Sequence, residues 1–203
     1  MDITVRLKDL IKNIAVLLKE YGYTKIGNTF YKQQYGNWAV LSFQKSRANT
    51  KDEMRFTMNI GTCSHTIRDF FDSEKSENKP ALDECQWQRR IGDFIASGDD
   101  LWWSLNASTD VNLLFQEIKQ ALMNEVLPSI DAHLSDSQLL ALWTSGKKSG
   151  LTDIQRLIFL AILYKKLGKN DQLALTLQEL EQKTQDKPDA SSIKVIKQHL
   201  LSE

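Results

Sequence analysis

Three residue types able to do covalent chemistry stand side by side at Cys63-Ser64-His65. A thiol or hydroxyl nucleophile needs a base within reach and a third group to orient that base. On a strand, Cys63 and His65 would share a face and Ser64 would point the other way. The sequence supplies no third group, so the tripeptide reads as a strand end. His65, His133 and His199 lie far apart, and none has a ligand-type partner at helical spacing, so no metal is expected. The nine glycines are scattered and form no phosphate-cradling loop. The expectation is no catalytic residue, no metal and no cofactor. Two cysteines, Cys63 and Cys85, do not make a disulfide framework and read as reduced cytosolic thiols.

Recognition chemistry is better represented. Trp87-Gln88-Arg89-Arg90 and Trp102-Trp103 bring indoles and guanidiniums together, the side chains most enriched at binding hot spots. If the two segments are paired strands, tryptophans occupy both faces of the pair. Helices cover only one of those faces, which leaves a tryptophan partly exposed beside an arginine. An ordinary cation–π pair sealing the sheet is the competing reading. A second candidate is acidic. The 26 basic and 26 acidic side chains cancel overall, yet residues 61–140 hold 6 basic against 14 acidic. Within 69–84, Asp72, Glu74 and Glu77 head a run that a basic protein partner would read, or that merely solvates a loop. Zero net charge argues against a nucleic-acid partner. No stretch approaches the roughly 18 apolar residues of a spanning helix, so no membrane partner is expected. Met1–Glu20 is charged throughout and does not read as a signal peptide.

These candidates need elements to position them. Ile3, Leu7, Leu10, Ile14, Leu17 and Tyr21 recur at helical spacing, and Gly22 ends that helix. The period then changes to two. Thr29–Tyr35 and Trp38–Lys45 flank Gly36-Asn37, a two-residue hairpin signal. Met54, Phe56, Met58 and Ile60 alternate with polar residues as a third strand. Ser64–Phe71 reads as a helical turn or a further strand, and Asp72–Glu84 as a polar loop. Trp87–Ile91 and Leu101–Leu105 are the fourth and fifth strands, with a turn at Gly98-Asp99-Asp100. Thr109 or Asp110 caps a second long helix that Pro128 interrupts.

The last third is helical. Ser135–Gln138 and Thr152–Gln155 are capping boxes, Gly168 stops one helix, Asn170 caps the next, and Pro188 precedes a final helix. Leu157, Leu160, Ala161, Tyr164, Gly168, Leu173, Leu177 and Leu180 resemble one tetratricopeptide hairpin, although that repeat prefers a small residue where Leu173 stands. A generic helical hairpin is the alternative. Gly146–Gly150 is the boundary candidate, dividing a domain at 1–146 from an appendage at 147–203. The fold class expected is α+β: an antiparallel sheet of about five strands, two long helices on one face, and a C-terminal helical appendage.

A family resemblance rests on the order of short motifs. A helix leads to Gly22-Tyr-Thr-Lys25 and Asn28-Thr-Phe-Tyr-Lys32, then Trp38-Ala-Val-Leu-Ser-Phe-Gln44, Phe56-Thr-Met-Asn-Ile-Gly61, Trp87-Gln-Arg-Arg-Ile-Gly92 and Trp102-Trp103. That order resembles the bacterial family called domain of unknown function 4304, over about residues 1–140. The resemblance implies no activity to transfer. Some domains of this kind resemble the immunity proteins of bacterial toxin systems. The expectation is therefore a non-enzymatic interaction or immunity-like protein of open oligomeric state. Its candidate partner-binding residues are Trp87, Arg89, Arg90, Trp102, Trp103, Asp72, Glu74 and Glu77. The alternative is a small-ligand binder or enzyme with a Trp/Arg-lined pocket between sheet and helices.

Overall fold

A computed structural model describes residues 2–95, 100–148, 150–185 and 190–202. Helix α1 (Ile3–Glu20) buries Leu7, Leu10, Ile14 and Leu18, and Asp2 caps its start by accepting from the Thr4 amide. The chain then forms β1 (Thr24–Ile26), β2 (Thr29–Gln34), β3 (Asn37–Lys45) and β4 (Glu53–Cys63), each antiparallel to the one before. β1 is too short and polar to show a period, and it raises the sheet to six strands among the described residues. The β2–β3 turn lies one residue earlier than the sequence suggests. Tyr35 and Gly36 carry the positive φ values of 55° and 83°, while Asn37 already pairs with Gln34.

Beyond β4 come α2 (His65–Phe71), α3 (Ser73–Ser76) and a 3₁₀ turn at Leu82–Glu84, so neither Ser64–Phe71 nor Asp72–Glu84 is a strand or a plain loop. β5 (Trp87–Arg90) and β6 (Trp103–Asn106) follow. These last two do not pair with each other. Both pair with β4, β5 along Asn59–Thr62 and β6 along Glu53–Phe56, because eleven-residue β4 is long enough to hold two short strands end to end. The turn expected at Gly98-Asp99-Asp100 lies, apart from Asp100, outside the described residues.

α4 (Val111–Ala121), capped by Asp110, continues through a π-helical segment at Leu122–Val126 into α5 (Leu127–Asp131). Pro128 therefore does not interrupt the helix. The π turn shifts the backbone register ahead of the proline, where an ordinary turn would meet its ring and missing N–H. α6 (Asp136–Thr144) and α7 (Asp153–Lys166) open with the two expected capping boxes. α8 (Asn170–Thr184) is preceded by Lys169, so Asn170 is its first residue and not its cap. α9 (Ala190–Leu201) ends the described chain, and Pro188 lies outside it.

One sheet face is covered by helices. Phe30, Leu41, Phe43, Phe56, Met58, Ile60 and Leu105 point into the same buried cluster as α1 and α4, and that cluster runs on through Trp143, Leu157 and Leu163 to Leu200. α7 packs on α2, α6 and α8. The opposite face has a small cluster of its own, where Val40, Cys63 and Cys85 meet under Leu82, Tyr31 and Trp38. Among the described residues no helix is long and apolar enough to cross a membrane.

Candidate functional site

The acidic segment is built around a buried cation. Ser64 accepts from the Ile67 amide and starts α2, and one turn later Arg68 is 6% exposed. Its guanidinium donates to the carbonyls of Asn78 (2.7 Å), Lys75 (2.8 Å) and Ser76 (3.1 Å), and pairs with Glu84 at 3.3 Å. A guanidinium presents a rigid fork of donors, so four partners on one side chain fix the path of the loop around it. Glu84 also accepts from the Ala81 amide, and Asp69 accepts from the Ser76 hydroxyl. Asp72 caps α3. The Lys75 amide and then its ammonium hold the Asp72 carboxyl below the usual carboxylate range. A cavity of about 250 Å³ separates this loop from Phe159 of α7, and its charged walls are the pairs Arg68–Glu84 and Lys75–Asp72.

Glu74, Glu77 and Asp83 are left over. All three are exposed, and among the described residues their carboxylates take no hydrogen bond or ion pair. Phe71, the last residue of α2, is 54% exposed. The segment thus divides its acids. Asp69, Asp72 and Glu84 hold the loop together, and Glu74, Glu77 and Asp83 face solvent from a fixed backbone.

The tryptophans and arginines divide by sheet face. Trp87 lies opposite Thr62 and Trp103 opposite Phe56, both on the helix-covered side, and both are buried. The Trp87 ring stacks on His133 at 4.7 Å, with the Arg89 guanidinium 5.8 Å from its centroid. Trp103 donates its indole N–H to Glu117 at 2.8 Å. Arg90 and half-buried Trp102 meet on the other face, 5.5 Å apart. There Arg90 donates to Asn59 (3.1 Å) and pairs with Asp100, which also accepts from the Trp102 indole at 2.9 Å. Tryptophan does reach both faces, as expected, but through β4 and not through a pairing of β5 with β6. Each face thus pairs an indole with an arginine, Trp87 with Arg89 on the covered side and half-buried Trp102 with Arg90 on the other. The Arg90 and Trp102 bonds hold the Asp100 carboxyl below its ordinary range.

Cys63-Ser64-His65 straddles the end of β4, so the shared-face argument does not apply to it. Ser64 is inside a polar network. Its hydroxyl donates to Asp136 at 2.7 Å, its amide donates to Gln86 Oε1 at 2.7 Å, and Asn37 donates to the same Asp136 oxygen at 2.9 Å. Asn37 in turn accepts from the His65 amide. That network ties the start of β3, the start of α2 and the first turn of α6 at one corner, and it commits the Ser64 hydroxyl to the Asp136 carboxylate. Among the described residues no cluster of three or more His, Cys, Asp or Glu could hold a metal ion.

Sequence reasoning missed Arg68, Asn37, Gln86 and Asp136. Arg68 had a legible signal, since it sits three residues before Phe71 and one after Ile67, on the apolar side of a short helix that Ser64 caps. The other three carry none, because the bonds that join them into the corner network span 22 to 99 residues.

The family model described as domain of unknown function (DUF4304) matches residues 14–132, a stretch running from inside α1 to just past α5 that holds all six strands and the acidic loop. No curated protein and no solved structure matches the chain.

Proposed function

The chain belongs to the family of domain of unknown function (DUF4304), and for this member we propose a non-enzymatic role as a protein-binding module whose partner is basic. The observation that carries the reading is the loop pinned by Arg68, in which Glu74, Glu77 and Asp83 are exposed and unpaired among the described residues and which follows exposed Phe71 in the chain. Fixing the loop before binding removes much of the ordering cost that a mobile acidic segment would meet on association. Unpaired carboxylates steer a positively charged surface, and an exposed phenyl ring gives it an apolar anchor. An immunity-like role, in which the basic partner is a toxin, is the finer form of the same reading and rests on analogy in size.

The test is site-specific photo-crosslinking in the native cell, with a photoreactive residue in place of Glu77 and, as control, in place of Val16 on α1, which is 63% exposed. The expected result is a basic protein captured from position 77 alone, and lost when Glu74 and Asp83 are reversed to lysine. Identical adducts from both positions, or adducts that survive the reversal, overturn the proposal.

A further inference from the structure

Cys63 and Cys85 are far apart in sequence and meet on the sheet face away from the helices. Cys63 ends β4, and Gly61 stands two residues earlier on the same face of that strand. Cys85 packs directly over Gly61: a Cβ added there would lie 2.8 Å from both the Cβ and the Sγ of Cys85. The glycine is what allows the close approach. The residues flanking Cys85 grip Cys63. Its thiol donates to the Glu84 carbonyl at 3.3 Å, the Gln86 amide lies 3.9 Å from its sulfur, and the Gln86 backbone N–H donates to the Thr62 carbonyl. Cys85 in turn points its thiol at the Ala81 carbonyl, 3.7 Å away, and both thiols are free, buried and packed in one small cluster with Val40. Cys85 also forms part of the wall of a cavity of about 270 Å³ that Asp83, Gln88 and Gln155 help to line.

We propose that Cys63 and Cys85 are an oxidation site, joined by a peroxide into an intramolecular disulfide that fastens the Leu82–Glu84 turn to the end of β4. Cys85, reached through the cavity, attacks one peroxide oxygen as its thiolate. The O–O bond breaks, the departing hydroxide takes up the thiol proton as water, and Cys85 becomes a sulfenic acid. The Cys63 thiolate then attacks that sulfur, the S–O bond breaks, and hydroxide leaves with the Cys63 proton as a second water. Two thiols and one peroxide give one disulfide and two waters, with sulfur oxidised and peroxide reduced. The neighbouring Cys63 side chain, and then burial, push the Cys85 thiol well above its ordinary value, so little thiolate is present and the pair reacts slowly. The fastened turn carries Glu84, the carboxylate partner of Arg68. Oxidation would therefore clamp the base of the acidic loop whether or not that loop binds a partner.

The experiment treats the folded full-length chain with hydrogen peroxide, follows near-ultraviolet circular dichroism to show that it stays folded, removes the peroxide, unfolds it and alkylates it. The expected result is a monomer lighter by two hydrogens, with both thiols resistant to alkylation and a peptide joining Cys63 to Cys85 in a digest made without reductant. With Cys63→Ser, Cys85 should instead accumulate as a sulfenic acid trapped by a 1,3-dione. Thiols that remain alkylatable, a cross-link between two chains, or Cys85 oxidised to sulfinic acid in the wild-type chain would each overturn the proposal. If Cys63→Ser fails to fold, the wild-type digest alone decides.

Discussion

From a buried position Arg68 donates to the carbonyls of Lys75, Ser76 and Asn78. Its replacement by methionine keeps the volume and removes every donor, leaving three carbonyls and the Glu84 carboxylate short of a partner. The expected cost is roughly 3 kcal/mol in urea unfolding, together with new protease cleavage within 72–84 of the otherwise folded chain. Resistance to cleavage would mean that the loop holds its shape without the guanidinium. Tyr23 offers a cleaner test of burial. Its hydroxyl is buried with no hydrogen-bond partner among the described residues, and burial, followed by the charge of Asp131, raises its pKa above the ordinary 10.0. The unfolded chain loses the phenolic proton near 10.0 while the folded chain keeps it, so this contribution to stability is lost as pH rises above 10.0. Tyr23→Phe should unfold much like wild type at neutral pH and become the more stable of the two above pH 10.0. Parallel melting curves for the two chains at every pH would contradict this.

At the scale of elements, Asp136 joins pieces that the sequence keeps far apart. One oxygen accepts from both Asn37 and Ser64, bringing the start of β3 and the start of α2 to the first turn of α6. Asp136→Ala leaves two nearly buried donors unsatisfied and should cost about 2 kcal/mol, whereas Asp136→Asn keeps an acceptor oxygen and should cost less. Equal losses for the two variants would show that the charge, and not the acceptor, matters. The same corner explains what was legible. The apolar spacings of α1, β3, β4 and α4 are local signals, and each lies where its period predicts. The β2–β3 turn shifted by a residue because Asn37, the apparent turn residue, is taken by His65 and Asp136 instead. β1 was missed because a three-residue exposed strand has no period to read. The exposed acids were legible in composition. The buried arginine that sorts them into structural and free sets was not, because its partners are backbone carbonyls, which no side-chain pattern encodes.

At the scale of the whole molecule, the main buried cluster runs without a break from Ile3 to Leu200. Trp143 is fully buried, with Phe159 of α7 at 5.6 Å, and Leu157, Leu160 and Leu163 are buried in the same cluster. A chain ending at Gly146 removes that cover and should aggregate or melt without cooperativity. A soluble fragment with a sharp transition would establish the C-terminal helices as a separate module. Charge is also organised at this scale, because the molecule is neutral overall and steering must come from a local patch. The most direct measurement is therefore the association rate of a lysine-rich peptide with the full chain across ionic strength. Wild type is compared with Glu74→Lys/Glu77→Lys and with Asp9→Lys/Glu20→Lys on α1, which makes the same change in net charge elsewhere. The loop reversal should lower the rate and flatten its salt dependence, while the α1 reversal leaves both close to wild type. An unchanged rate and slope in the loop variant, or an equal effect from both, would contradict a docking surface on the Arg68-held loop.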